Sequence, residues 1–181
     1  MKKRAIVLFN LGGPDAPDSV RPFLFNLFND PAILSLPQPF RWLLAQIISR
    51  GRETKARGIY DKIGGKSPLL ELTRAQADAL QTELNKTGDA DYRCFVAMRY
   101  WHPFAAAAAS EVASFAPDEI ILLPLYPQYS ITTTGSSFAD WAKAARALRL
   151  TVPSRIVKSY PSHPEFIAAQ AELLNTERAK A

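Results

Sequence analysis

"RAIVLFNLGGP", residues 4–14, decides how the chain folds. From Ala5 to Phe9 it is a continuous apolar run, the pattern of a strand buried on both faces rather than one with a wet side. Gly12-Gly13-Pro14 then stops it. Outward from this strand, helix and strand patterns alternate. Asp18 or Ser19 can cap a helix in which Val20, Phe23, Leu24, Leu27 and Phe28 keep the i, i+3, i+4, i+7, i+8 rhythm, with Pro22 tolerated in its first turn. Pro37 and Pro39 precede a short helix over 40–50 with Trp42, Leu43, Ile47 and Ile48, and a glycine-punctuated basic segment follows. Ser67-Pro68 opens a long helix over 68–86, with Leu70, Leu72, Ala75, Ala79, Leu80 and Leu84 available for a buried face. Strands are expected at 92–100, in "DEIILLPLYP" and at 154–160. Helices are expected in "PFAAAAASEVASFA" (with Pro103 in its first turn), at 138–148 and at 163–179. This βαβα order predicts an α/β fold, an open and mostly parallel sheet with helices on both faces, forming a single domain over 1–181.

Composition narrows the class. The 181 residues are 48% hydrophobic and 22% charged, ordinary values for a globular protein with a real core. No apolar run approaches the roughly 20 residues of a membrane span. The start "MKKRAIVLFNLGG" is too short in its apolar part for a signal peptide and reads as the first core strand. Cys94, the only cysteine, excludes an internal disulfide; it lies in a strand pattern as a small core hydrophobe, and a cytoplasmic location is expected. Between 41 and 66 seven Lys/Arg face two acids, an excess equal to the whole net charge of +5. That segment is either a solvated helix face and loop or a site for anionic groups, whether phosphates, nucleic acid, headgroups or carboxylates.

Ligands of open α/β sheets bind beyond the carboxyl ends of the strands. Three segments meet there: "NLGGPDAP", "RYWHP" and "LYPQYSITTTGSS". The glycines of the first do not form G-x-G-x-x-G or a P-loop, and no G-x-S-x-G occurs. His102 and His163 have no metal-site spacing; His163 reads as a surface residue and His102 as a strand-end residue with a structural hydrogen bond. One Ser or Thr suffices to cap a helix, yet residues 132–137 hold five hydroxyls, an excess that favours a binding loop. With Tyr100, Trp101, Tyr126 and Tyr129 as walls and Arg52 and Lys55 from the basic segment, the parts suit a flat apolar ligand with carboxylates at its edge.

The segments "LFNLGGPDAPDSVRPFLFNLFND", "IYDKIGGKSPLLELT", "AMRYWHPF" and "LYPQYSITTTGSS" together resemble the ferrochelatase family, in its order and at its spacing. The resemblance implies insertion of ferrous iron into protoporphyrin IX to form haem, by two similar α/β lobes that grip the porphyrin. By position, Arg52, Tyr60, Ser67, Leu11, Arg99, Tyr100, Tyr126 and Thr132 match porphyrin-lining residues of the family, and Leu24, Leu27 and Phe28 resemble its apolar lip, which meets the membrane surface. Ile131 stands where some animal members carry a cluster-ligating cysteine, so no iron–sulfur cluster is implied. No tightly bound cofactor is expected. Iron and porphyrin are substrates, and the implied partners are porphyrin and a peripheral membrane contact, with no nucleic acid.

Metal insertion needs a bent porphyrin, a base for the pyrrole protons and ligands that hand over the iron. In the family the last two duties resemble the work of a histidine in "S-A-H-[SG]-L-P" and a later glutamate, both beyond Ala181. The chain thus reads as the N-terminal, porphyrin-facing lobe, lacking the metal-delivering lobe in cis or in trans, and inactive alone. The alternatives are a stand-alone porphyrin- or haem-binding module and a small homodimeric chelatase. The latter is disfavoured because "NLGGPDAP" has no histidine after the first strand.

Overall fold

The computed structural model describes residues 1–180. Four parallel strands form one sheet in the order β2-β1-β3-β4: β1 (Lys2–Asn10), β2 (Ala90–Met98), β3 (Glu119–Pro124) and β4 (Ser154–Ile156). β1 is central, pairing Lys2 with Ala90 through Asn10 with Met98 on one side and Arg4 with Glu119 through Phe9 with Pro124 on the other. Its side chains alternate as the unbroken apolar run implies. Ala5, Val7 and Phe9 face α4 (Ala105–Phe115) and α5 (Ser136–Ala147) in the larger core, while Ile6 and Leu8 face α3 (Leu69–Asn85). The sheet is therefore covered on both faces, and the expected α/β architecture holds.

α1 (Val20–Phe28) and α2 (Phe40–Asp61) leave the sheet and pack on each other over the carboxyl ends of β1 and β2. α2 differs most from expectation. Instead of a short helix and a basic loop, 22 residues form one helix through Gly51 and Gly58. Each glycine costs a helix about 1 kcal/mol relative to alanine. That cost is offset by the buried Ala45 and Ser49 and by Ala56 and Tyr60, which continue the helix's contact with the α1 cluster.

Smaller departures have local causes. Neither Asp18 nor Ser19 caps α1: a 3-10 turn (Pro17–Ser19) runs straight into the helix, and the Ser19 hydroxyl donates to Asp15 instead. Pro103 stands ahead of α4, its carbonyl turned back to accept the Met98 amide at 2.7 Å. The buried face of α3 runs through Thr73, Ala77, Leu80 and Leu84 and leaves Leu72, Ala75 and Ala79 exposed. Thr73 is accommodated because its hydroxyl donates to the Leu69 carbonyl at 2.7 Å and accepts from Asn10 Nδ2 at 3.1 Å. α5 begins at Ser136, two residues early, and a π turn (Ile131–Gly135) precedes it. β4 shrinks to three exposed residues, and α6 (Pro164–Arg178) buries none of its side chains. Cys94 is half-buried on β2, where burial, then the Asp78 charge, pushes its thiol up to about 11.

Candidate functional site

The turn after β1 shapes the site. Gly12 has φ +83°, and a side chain there would approach the Trp101 amide nitrogen to 2.9 Å. A Cβ on Gly13 would lie 2.5 Å from the Ser67 side chain. Ser67 is held there by its amide, which donates to the Pro14 carbonyl at 2.7 Å. The Tyr100 amide donates to the Leu11 carbonyl at 2.9 Å, so the chain past β1 and β2 stays paired.

An apolar wall stands on this frame. Tyr100, Val20, Phe23 and Leu24 form its buried centre, with Leu11, Leu27, Phe28, Tyr60 and Trp101 packed around them. Burial raises the Tyr60 hydroxyl above its ordinary value. Arg52 reaches over the Phe28 ring at 5.6 Å. Leu24, Arg52, Lys55, Ala56 and Ile59 line a cleft of about 270 Å³. That is below the roughly 300–1,000 Å³ of sites that enclose a small ligand, so the cleft can grip one edge of a flat molecule. The basic segment divides in a way that suits an anionic edge. Arg57 is paired with Asp18 and Glu53, and Lys66 with Glu71, while the segment's other five cations carry no ion pair among the described residues. Of these, Arg52 and Lys55 line the cleft. A larger hollow of about 470 Å³ lies beside the outer edge of β2 around Cys94 and holds none of these groups.

Behind the wall the chemistry is polar. The Asp30 carboxylate is only 3% exposed. It accepts from Tyr100 Oη at 2.8 Å, from the Ser136 hydroxyl and from the Ala32 amide at 2.8 Å, and it pairs with Arg99 Nη2 at 2.9 Å. Burial pushes its pKa up, but the Ser136 hydroxyl, the Ala32 amide, the Tyr100 hydroxyl and the Arg99 charge together outweigh this, and it ends below the usual carboxylate range. Arg99 also donates through Nε to the Ser136 hydroxyl at 2.6 Å and lies 3.8 Å from Asp140. The π turn joins this network, its Thr132 carbonyl 3.4 Å from Tyr100 Oη.

A family model described as Ferrochelatase matches residues 3–181. The chain belongs to the ferrochelatase family. It is 52% identical over 172 residues to the ferrochelatase of Wolbachia sp. subsp. Drosophila simulans (strain wRi), covering 95% of this chain and 55% of that one. It is 55% identical over 180 residues to the ferrochelatase of Phenylobacterium zucineum (99% and 52%), and 49% identical over 181 residues to that of Caulobacter vibrioides (99% and 51%). The chain spans about half the length of the curated relatives it matches.

Of the positions carried over from the ferrochelatase resemblance, Leu11, Leu24, Leu27, Phe28, Tyr60 and Tyr100 meet in one wall, with Arg52 on its rim and Ser67 against the Gly13 turn. The three lip residues face inward: Leu24 is buried, and Leu27 and Phe28 are half-buried. On α2, by contrast, Phe40, Trp42, Leu43 and Ile47 are exposed. Arg99 and Thr132 join through the Asp30 network. Tyr126 stands apart, packed on the other core with its hydroxyl buried and without a hydrogen-bond partner. Burial pushes that hydroxyl up to about 12, with the Arg99 charge pulling the other way. His102 packs its ring against Trp101 and Phe104, and His163 pairs with Glu165 at 2.8 Å. Sequence reasoning missed Asp30 and marked Ser136 only as one hydroxyl of the 132–137 loop, because the two meet from far along the chain.

Proposed function

We propose that this chain forms the porphyrin-binding wall of an enzyme of haem synthesis, one that inserts ferrous iron into protoporphyrin IX. The observation that carries the reading is the apolar wall of Leu11, Leu24, Leu27 and Phe28, backed by the buried Tyr100, with the unpaired cations Arg52 and Lys55 at its rim. It suits a flat macrocycle laid on the wall with a carboxylate at the cations. Iron and porphyrin act as substrates, with no tightly bound cofactor. The groups that deliver iron and accept the pyrrole protons come from the other half of the family's length, in cis or in trans. Among the described residues no three His, Cys, Asp or Glu side chains are grouped to hold a metal ion. The second reading is a module that holds porphyrin or haem without metalating it.

Work in the cytoplasm, with a peripheral membrane contact, belongs to the same proposal. No helix among the described residues is long and apolar enough to cross a membrane. Phe40, Trp42, Leu43 and Ile47, beside Arg41 and Arg50, favour α2 as the face that lies on a membrane. The test of the main reading is a fluorescence titration of the chain with protoporphyrin. Arg52→Ala should weaken binding about tenfold, as loss of one charge-assisted contact does. Equal affinity of the two proteins would count against the site.

A further inference from the structure

Among the described residues Asp30 is the only charged side chain in the buried class. Its Oδ2 takes three partners: Tyr100 Oη, the Ser136 hydroxyl and Arg99 Nη2. These come from the end of β2 and the start of α5, while Asp30 itself follows α1 and its Oδ1 closes the turn at Ala32. One side chain thus ties together the helix that forms the wall, the strand end behind it and the hydroxyl-rich turn beside it. Tyr100 shows how the tie reaches the wall. Its ring is fully buried in the cluster on which the half-buried Leu11, Leu27, Phe28 and Trp101 pack, while its hydroxyl meets Asp30 and, at 3.4 Å, the Thr132 carbonyl. Ser136 is equally constrained, donating to Asp30 while accepting from Arg99. Arg99 has Asp30 and Asp140 as counter-charges, so its guanidinium serves this network.

We propose that Asp30 is a positioning residue of the wall, whose carboxylate sets the tilt of the Tyr100 ring and the place of the hydroxyl-rich turn relative to α1. The role rests on the porphyrin reading given above. Asp30 touches no ligand; it acts through Tyr100 and Ser136. An asparagine in its place keeps the shape and the bond from Ala32 but loses the charge that gathers three donors on one oxygen.

The experiment is a protoporphyrin titration of the chain and its variants at neutral pH, read by affinity and by the Soret maximum of the bound porphyrin. Folding is checked by near-ultraviolet circular dichroism. Asp30→Asn is expected to bind about tenfold more weakly with a displaced Soret maximum, and Tyr100→Phe and Ser136→Ala about threefold more weakly. Asp30→Asn combined with Tyr100→Phe should lose less affinity than the two single losses multiplied together, because the phenol hydroxyl acts mainly through the carboxylate. Wild-type affinity and an unmoved Soret maximum in folded Asp30→Asn, with only a lower melting temperature, would make Asp30 a stabilising residue and overturn the proposal. Should Asp30→Asn fail to fold, Ser136→Ala decides: unchanged affinity overturns the proposal, and weakened affinity with a moved maximum supports it. A wild-type chain that takes up no porphyrin overturns the porphyrin reading and this role together. Binding that falls in Arg52→Ala but not in Asp30→Asn or Ser136→Ala overturns the positioning role alone.

Discussion

Replacing Gly13 by alanine tests the frame on which the wall stands. The new Cβ would sit 2.5 Å from both Cβ and Oγ of Ser67. Carbon atoms rest at about 3.5–4.0 Å, so the two segments must separate by roughly 1 Å. Ser67 cannot yield by rotating, since its Cβ is fixed to a backbone whose amide donates to the Pro14 carbonyl at 2.7 Å. Overpacking of this kind costs about 1–3 kcal/mol, and at about 2 kcal/mol a domain of this size melts roughly 4–8 °C lower. Ser67→Gly removes both clashing atoms. Alone it should cost about a few tenths of a kcal/mol, from the bond that Ser67 Oγ accepts from the Leu69 amide at 3.2 Å. The double variant Gly13→Ala, Ser67→Gly should therefore regain more than half of the lost stability. Urea unfolding followed by tryptophan fluorescence measures all four proteins. Wild-type stability in Gly13→Ala, or a double variant as weak as the sum of the singles, would refute the close approach of the two segments.

Two further outcomes follow from buried groups and from α2. Tyr126 has its hydroxyl pushed up to about 12 by burial, above the ordinary value near 10. A raised phenol favours the folded state below pH 10, and that contribution is lost as pH climbs from 10 to 12. Tyr126→Phe should flatten the alkaline loss of stability and leave neutral stability unchanged or slightly higher, because the hydroxyl has no partner to lose; an unaltered alkaline profile would contradict this. Gly51→Ala and Gly58→Ala should each raise stability by about 0.5–1 kcal/mol, since both sites are helical and open around the new methyl. Lower melting temperatures would argue that α2 is interrupted there.

The legible parts of the molecule were those with local signals. β1 announced itself by an apolar run that needs two covered faces, and α3 and α4 by their length and composition. A sequence reading cuts α2 short because glycine lowers helix propensity, whereas its packing against α1 is a tertiary fact invisible to a local window. The hydroxyl-rich turn was found by its excess of Ser and Thr, and Ser130 turned out to be the cap, accepting from the Thr132 amide at 3.2 Å. That it would continue as a π turn into α5 had no sequence signature. Asp30 reads as an ordinary turn residue after a helix. Only the fold shows that Tyr100 and Ser136, 70 and 106 residues away, converge on it. The sequence groups Tyr126 with the other strand-end tyrosines, but it packs with the larger core around α4 and α5, while the wall lies over the ends of β1 and β2.

The central claim is that one ligand rests on the α1–α2 wall and the hydroxyl-rich turn. Hydrogen exchange of the chain with and without protoporphyrin tests it most directly, because each segment reports its own protection. The account predicts new protection in residues 20–30, 52–67, 99–101 and 130–136, with the groove beside Cys94 and α6 unchanged. Protection confined to the edge of β2 or to α6, or none anywhere, would contradict it.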